Sequence, residues 1–183
     1  EEEISQITSQ TMRGELDFER SLRARVALLK GLPVSVFDTV FKSIHLSKNA
    51  QEFISILQKK RILVGLVSGG FIPIVERLAK SLGISYFSAN QLEVKDGFLT
   101  GKLVGEIVTG QVKNATLEKW RKELGLPKER TFAIGDGAND LLMLKSAGRG
   151  IAFCAKEVVK TEIASHIDTR DFLEVLPLID FLE

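Results

Sequence analysis

Apolar residues follow a helical spacing through the first 49 residues of the chain. Leu22, Val26 and Leu29 recur at steps of three and four, and the same spacing begins at Ile4. No strand pattern occurs in this stretch before Val34. The spacing therefore predicts a helical unit that ends near residue 49.

Beyond residue 49, predicted helices alternate with short apolar runs. Phe53, Ile54 and Leu57 form one face of a helix, and the continuous apolar run 62–67 follows it. Such a run, ended by glycines and followed by a helical pattern, is typical of a buried parallel strand. The same order of strand, loop and helix returns over 131–147.

Two further short strands and one hairpin complete the pattern. Residues 151–154 and the surroundings of Ile167 predict strands, and Asp96-Gly97 between apolar residues predicts a hairpin over 92–100. Strands that alternate with helices indicate an α/β fold, a parallel sheet with helices on both faces. A ligand is then expected at the carboxyl ends of the strands.

Charge and cysteine content exclude several classes of protein. The 25 Lys and Arg residues nearly balance the 24 Asp and Glu residues, so bulk electrostatic binding of nucleic acid is not expected. No apolar run approaches the roughly 20 residues that span a bilayer, and the acidic start at Glu1 does not suit a signal peptide. Cys154, the only cysteine, cannot form an internal disulfide, which indicates the cytoplasm.

The loop over residues 135–140 is the strongest candidate for chemistry. Asp136 and Asp140, with the amide of Asn139, follow a predicted strand and are flanked by glycines. Oxygen ligands of this kind suit Mg²⁺, which also keeps several waters. The alternative is a tight turn in which Asp140 caps the next helix.

A second loop, Ser68-Gly69-Gly70, also follows a predicted strand. A hydroxyl and successive glycine amides can cradle an anion, although an ordinary turn is an equal alternative. Two such loops on neighbouring strands would face one crevice. Neither loop is a nucleotide fingerprint, because Asp140 stands where a dinucleotide motif needs its third glycine.

Isolated basic residues give weaker signals. A lone lysine such as Lys113 is usually only a solvated surface charge, and it gains a role only if it points into the crevice, where it would neutralise phosphate. Arg20, Arg23 and Arg25 cluster beside Phe18, and on sequence pattern alone a charged outer helix face is the favoured interpretation.

Taken together, these motifs resemble the phosphoserine phosphatases of the haloacid dehalogenase (HAD) superfamily. Ser68, Lys113 and Asp136, in that order, carry the resemblance to the superfamily. The stretch 12–18 together with Arg25 carries the resemblance to the phosphatases. The likeness also covers the segments 67–71, 89–90, 96–101, 135–140 and 152–156.

This resemblance implies a Rossmannoid three-layer core over residues 50–183 and a small helical cap over residues 1–49. It implies hydrolysis of O-phospho-L-serine through an aspartyl-phosphate, as the last step of serine biosynthesis, with Mg²⁺ as cofactor. Ser68 and the Gly69 amide would hold the phosphoryl group, and Lys113 would offset the charge on it and on the nucleophile.

The remaining roles implied by the resemblance concern metal and substrate. Asp136 would bind Mg²⁺, and Asp140 would support Asp136 from behind without being a direct metal ligand. Asn139 would contact substrate or phosphate. Arg25 would pair with the serine carboxylate. Met12 and Phe18 would line the lid over the substrate.

The sequence departs from the family at its amino terminus. The family begins with an Asp-x-Asp-x-Thr loop, whose first aspartate attacks phosphorus and whose second protonates the leaving oxygen, and the chain contains no such motif. The family's glutamate for the substrate amino group is missing too. Without the nucleophile, the chain from Glu1 to Glu183 is not expected to turn over phosphoserine.

The missing loop would follow a central strand between the strands that end at Ser68 and Asp136. Since total stability is only about 5 to 15 kcal/mol, a fold without that strand would be close to unfolded. We therefore expect a segment of roughly thirty residues before Glu1, one strand and its connection to the cap.

Several alternatives stay open at this point. The protein could be a non-catalytic relative that binds phosphate or phosphoserine, or serves as an interaction module. It could be a HAD phosphatase for another small phosphomonoester, and a nucleotide-binding module is a weaker third possibility. Neither nucleic acid nor a membrane is expected as a partner, and both a monomer and a homodimer are compatible with the pattern.

Overall fold

The computed structural model describes residues 18–179. Helices and strands alternate along this part of the chain, with short 3₁₀ turns at Lys128–Arg130, Ala138–Asp140 and Phe172–Leu178. The helices are α1 (Phe18–Ala27), α2 (Val36–Lys42), α3 (Ala50–Lys59), α4 (Ile72–Ser81), α5 (Gly110–Glu123), α6 (Leu141–Ser146) and α7 (Glu157–Lys160). The strands are β1 (Gly65–Phe71), β2 (Tyr86–Lys95), β3 (Phe98–Val104), β4 (Phe132–Gly135), β5 (Arg149–Phe153) and β6 (Ser165–Ile167).

The strands form two three-stranded sheets, ordered β1-β2-β3 and β4-β5-β6. All pairs are parallel except the β2–β3 hairpin. The hairpin turns at Asp96 (φ 52°) and Gly97 (φ 81°), the left-handed pair that a tight two-residue turn requires. The predicted hairpin and the predicted strands at 131–136, 151–154 and Ile167 are therefore confirmed.

Alternate residues of the strands point to opposite helical layers. Leu66 and Ile134 pack into a cluster with α3 and α4, whereas Val67 and Ala133 pack into a cluster with α5, α6 and α7. The predicted face of α3 is buried in the first of these clusters, at Phe53, Ile54 and Leu57. The predicted three-layer α/β core is thus confirmed.

The first strand lies further along the chain than the apolar run predicts. The run 62–67 indicates a strand, but pairing with β2 begins only at Gly65 and continues to Phe71. Ile62 and Val64 pack against the core without joining a strand. The run marks where the chain becomes buried, whereas the partner strand determines where the hydrogen bonds start.

Helix α5 packs closely against β1 and β2. A Cβ atom on Gly65 would lie 2.5 Å from Cζ3 of Trp120, so only glycine fits beneath the indole. The ring of Trp120 also meets the ring of Tyr86 edge to face, with centroids 5.6 Å apart. This contact fixes the body of α5, the helix that carries Lys113 in its first turn.

The helices α1 and α2 are fastened to the β2–β3 hairpin. Leu22, Val26 and Phe37 share a cluster with hairpin residues Leu92 and Leu99. The division of the chain at residue 49 stays a prediction, and the helical pattern predicted before residue 18, including Ile4, lies outside the described residues. None of the helices within 18–179 has the length and apolar composition to cross a bilayer.

Asp171 holds the segment before α3 against the C-terminal 3₁₀ turn. Its Oδ1 accepts hydrogen bonds from Asn49 Nδ2 (2.8 Å) and the Leu173 amide (3.1 Å), and its Oδ2 pairs with Lys48 Nζ at 2.8 Å. The hydrogen bond from Lys48 is the largest cause that holds the pKa of Asp171 below its usual value, and the bonds from Asn49 and Leu173 act in the same direction.

We expect Asp171→Asn to lower stability at neutral pH but not in acid. A carboxyl whose pKa is lower in the folded chain contributes stability above its unfolded pKa and loses that contribution as pH falls through the folded value. Urea unfolding of parent and variant should therefore differ at neutral pH, and the difference should shrink below about pH 4 and vanish below the lowered pKa of Asp171. Glu174→Gln, which changes an exposed carboxylate in the same turn, is the control. A gap that stays constant with pH would contradict the assignment.

Candidate active site

The first loop, Ser68-Gly69-Gly70, is a bulge inside β1 and does not follow the strand as predicted, yet its shape suits an anion. Ser68 pairs with Ala89 and Phe71 pairs with Asn90, so Gly69 and Gly70 bulge out of the β1–β2 ladder. Ser68 Oγ accepts a hydrogen bond from the Gly70 amide at 3.0 Å. Because that bond occupies only an acceptor position, the hydroxyl hydrogen remains available for a ligand oxygen.

The loop after β4 is organised around the buried carboxylate of Asp140. Asp140 Oδ2 accepts hydrogen bonds from the amides of Asp136 (3.2 Å) and Gly137 (3.1 Å). A Cβ atom on Gly135 would lie 2.5 Å from the Asp140 Cβ, so glycine allows this close turn. Asp140 occupies the N-cap position of α6 without capping it by a side-chain hydrogen bond. The alternative interpretation is therefore right about the tight turn and the N-cap position of Asp140, but the carboxylate bonds to the loop amides and not to α6.

Lys113 is buried and bonded to the second loop. Its Nζ donates to Asp140 Oδ1 at 2.6 Å, and the side chain of Lys113 is only 9% exposed. The helix that carries it starts directly against the second loop, since a Cβ on Gly110 would lie 2.7 Å from the Asn139 carbonyl oxygen. The interpretation of Lys113 as a solvated surface charge is wrong.

These contacts leave Asp136 as the carboxylate of the second loop that faces solvent. Both oxygens of Asp140 are engaged, whereas the side chain of Asp136 is exposed. Residues 18–179 contain no group of three or more His, Cys, Asp and Glu side chains that could enclose a metal. One exposed carboxylate still fits Mg²⁺, which is commonly held by one or two carboxylates, waters and a phosphate.

The substrate-contacting residues predicted on the cap are only partly described. A Cβ atom on Gly69 would lie 3.7 Å from Cζ of Phe18. The start of α1 therefore lies over the first loop. Arg25 is half-buried about two turns further along α1, and its Nε donates to the Ser21 carbonyl at 3.3 Å. Met12 lies outside the described residues. The individual roles of all these residues stay predictions.

Asn90 is a site residue that belongs to the family resemblance, but no role was predicted for it. It is 1% exposed, and its side chain joins the Gly69 carbonyl to the Val108 amide, each at 2.8 Å. Ser88 and Gln91 of the same strand are polar too, so the residue pattern of β2 does not set Asn90 apart. A buried amide there needs hydrogen-bond partners, which indicates a contact but not which one.

In this fold Ser68 lies in β1, Lys113 on α5 and Asp136 directly after β4. The fold is that of a haloacid dehalogenase-like hydrolase, and the model of that family matches residues 3–145. A phosphoserine phosphatase of Streptococcus thermophilus is 53% identical over 97% of this chain and 83% of the relative. That of Lactococcus lactis is 50% identical over 99% and 84%. The chain belongs to the phosphoserine phosphatase family of these hydrolases.

Solved structures agree with this placement. A substrate-bound phosphoserine phosphatase complex superimposes with a TM-score of 0.90 at 44% identity and covers 98% of this chain and 85% of the solved one. A phospho-aspartyl intermediate analogue of phosphoserine phosphatase gives a TM-score of 0.89, also at 44% identity, over 98% and 86% of the two chains.

Proposed function

We propose that this protein hydrolyses O-phospho-L-serine to L-serine and phosphate, as the last step of serine biosynthesis. The observation that carries the proposal is the position of Lys113, which is buried and bonded to Asp140 of the second loop. The start of the helix that carries Lys113 is joined to Gly69 of the first loop through Asn90. A cation in that place suits a phosphoryl group that carries negative charge. The names of the relatives, phosphoserine phosphatase in each case, support the substrate.

The first loop, the bulge Ser68-Gly69-Gly70 in β1, binds the phosphoryl group in this proposal. The Ser68 hydroxyl and the Gly69 amide donate hydrogen bonds to its oxygens, and Lys113 offsets the charge on the group as it is transferred. Since the Lys113 ammonium has three donors and gives one to Asp140, two remain for phosphate oxygens. Asn139, at the edge of the second loop, completes the contacts to substrate or phosphate.

Asp136 would hold Mg²⁺ in this proposal, and Asp140 would fix the conformation of the second loop without contacting the metal. When bound, Mg²⁺ neutralises charge on the transferring phosphoryl group and orients it. Asp140 holds the backbone of Asp136 and Gly137 through its Oδ2. The carboxylate of Asp136 is therefore presented at the edge of the sheet.

The transfer is proposed to pass through an aspartyl-phosphate, as the name of the intermediate-analogue structure indicates for that relative. The two carboxylates of the described site have other tasks, since Asp140 is bound to Lys113 and two amides and Asp136 is assigned to the metal. The assigned residues thus bind and stabilise the phosphoryl group, and none of them serves as the nucleophile.

Arg25 is proposed to recognise the carboxylate of the serine moiety, with Phe18 and Met12 lining the cap over it. An arginine can bind a carboxylate through two parallel hydrogen bonds. Its Nε bond to Ser21 is long, at 3.3 Å, so the guanidinium exchanges it readily for a ligand.

The substrate assignment is tested by Arg25→Ala. We expect KM for phosphoserine to rise about 10- to 100-fold, the effect of losing a charged hydrogen-bonded pair. KM for a phosphomonoester that lacks the carboxylate should stay nearly unchanged. Arg23→Ala is the matched control, because Arg23 lies on the same helix but is exposed and paired with Glu19. Equal effects on both substrates would refute phosphoserine as the substrate.

The alternative of a non-catalytic binder is tested on the protein as its gene encodes it. Calorimetry with phosphoserine and Mg²⁺, beside a phosphate-release assay, separates binding from turnover. Binding without release would favour that alternative. Faster turnover of another member of a phosphomonoester panel would favour a different HAD phosphatase.

The wider setting of the enzyme is also proposed. Residues 1–49 are the cap and residues 50–183 the core, and the ligand is a small phosphomonoester. The cytoplasm is the proposed compartment, supported by the single free thiol of Cys154. The protein acts as a monomer or a homodimer.

A further inference from the structure

We propose that Asn90 is a positioning residue for phosphoryl binding, one that orients Ser68 and fixes the start of α5 against the same loop. The inference rests on the proposed function of that loop as a phosphate site. Asn90 does not reach the ligand in this proposal. It acts through two backbone groups, the Gly69 carbonyl and the Val108 amide.

The first step concerns the bulge in β1. Gly69 and Gly70 have no partners in the β1–β2 register, so their backbone groups need hydrogen bonds from elsewhere. Asn90 Nδ2 donates to the Gly69 carbonyl at 2.8 Å and supplies one of them. The orientation of the amide is fixed, since its other end, Oδ1, accepts from the Val108 amide.

The second step runs from that carbonyl to the Ser68 hydroxyl. In a trans peptide, the carbonyl of Gly69 and the amide of Gly70 point in opposite directions. Because Asn90 holds the carbonyl on its side, the Gly70 amide points away and reaches Ser68 Oγ at 3.0 Å. The hydroxyl accepts there, so its own hydrogen is directed to another acceptor, the phosphoryl oxygen in this proposal.

The third step connects the same side chain to Lys113. Val108, whose amide donates to Asn90, precedes Thr109, and the Thr109 side chain caps α5 by accepting from the Val112 amide. The Thr109 carbonyl in turn accepts from the Lys113 amide at 2.9 Å. Asn90 therefore joins the two elements that carry the phosphate donors, β1 and α5.

The burial of Asn90 supports a specific task. An apolar side chain of similar size would be the ordinary choice at a position only 1% exposed. Asparagine is useful here because one planar group offers both a donor and an acceptor. Aspartate has the same shape, but its ionised form would place an oxygen without a hydrogen against the Gly69 carbonyl.

Asn90→Asp is the test, with inorganic phosphate as the probe. Near neutral pH we expect its dissociation constant for phosphate to rise about tenfold, the result of replacing one buried hydrogen bond by a repulsive contact. KM for the substrate should rise with it, and kcat should fall less. Protonation restores a donor, so the ratio of variant to parent affinity should recover toward about pH 5, since burial raises the pKa of the introduced carboxyl.

Thr131→Val is the matched control for stability. Thr131 is also buried, and its hydroxyl likewise bonds two backbone groups, the Lys128 carbonyl and the Gly148 amide, but at the amino end of β4, away from the loops. This variant should lose stability and keep its affinity for phosphate. Similar losses of affinity in both variants would mean that Asn90 is only structural, and would overturn the inference.

A measurement on the unaltered protein covers the case in which Asn90→Asp does not fold. Titration with phosphate should shift the NMR signals of the Asn90 side-chain amide and the Val108 amide. Unmoved signals, or an absence of phosphate binding, would overturn the inference. Phosphate binding does not require turnover. A protein whose phosphate binding depends on Asn90 but which releases no phosphate from phosphoserine would refute the proposed function and leave the inference about Asn90 intact.

Discussion

Lys113→Met is expected to lower kcat by about 10²- to 10³-fold, the loss that follows removal of one preorganised charge-stabilising group. It should also destabilise the fold by about 3 to 5 kcal/mol, because the carboxylate of Asp140 is left buried without its cation. The two side chains are only 9% and 6% exposed. Steady-state kinetics and urea unfolding on the same preparation measure both effects.

The double variant Lys113→Met with Asp140→Leu separates the two losses. Removing both charges leaves no unpaired buried charge, so part of the stability should return, although the Asp136 and Gly137 amides lose their acceptor. Activity should not return, because the cation for the phosphoryl group is still missing. Recovery of activity together with stability would show that Lys113 serves the fold and not the phosphoryl group.

Asp136→Asn is expected to cost activity while sparing the fold. Its carboxylate is exposed, so stability should change by no more than about 0.5 kcal/mol. The amide is a poorer ligand for Mg²⁺, and kcat should fall about 10²-fold. Half-maximal activity should require about tenfold more Mg²⁺, which a titration at saturating phosphoserine measures.

Asp140→Asn is the matched control for this prediction. It lies in the same loop but is buried and bonded to Lys113, so it should lower stability as well as activity. An unchanged Mg²⁺ requirement in Asp136→Asn would contradict the assignment of Asp136 as the metal ligand.

Local signals were sufficient to predict much of the fold. The Asp96-Gly97 pair identifies the hairpin because few other pairs tolerate two left-handed residues. The strand near Ile151 and the buried face of α3 follow from patterns within about ten residues. The start of β1 could not be predicted, because it depends on which residues of β2 stand opposite.

The loops of the candidate site were predicted, but the ion pair and hydrogen bonds that connect them were not. Ser68 and Asp136 stand out because each follows a predicted strand at a glycine turn. The ion pair of Lys113 with Asp140 joins residues 27 positions apart, and only the packing of α5 against the second loop brings them together. The role of Asn90 was not predicted for the same reason, since its partners come from two other segments.

The contact of Trp120 with Tyr86 gives the molecule an intrinsic optical reporter. These are the only tryptophan and the only tyrosine among the 183 residues. With the ring centroids 5.6 Å apart, excitation of the tyrosine should pass to the indole as long as α5 stays packed on β1 and β2. Tryptophan emission on tyrosine excitation therefore follows the docking of the helix that carries Lys113, without any added label.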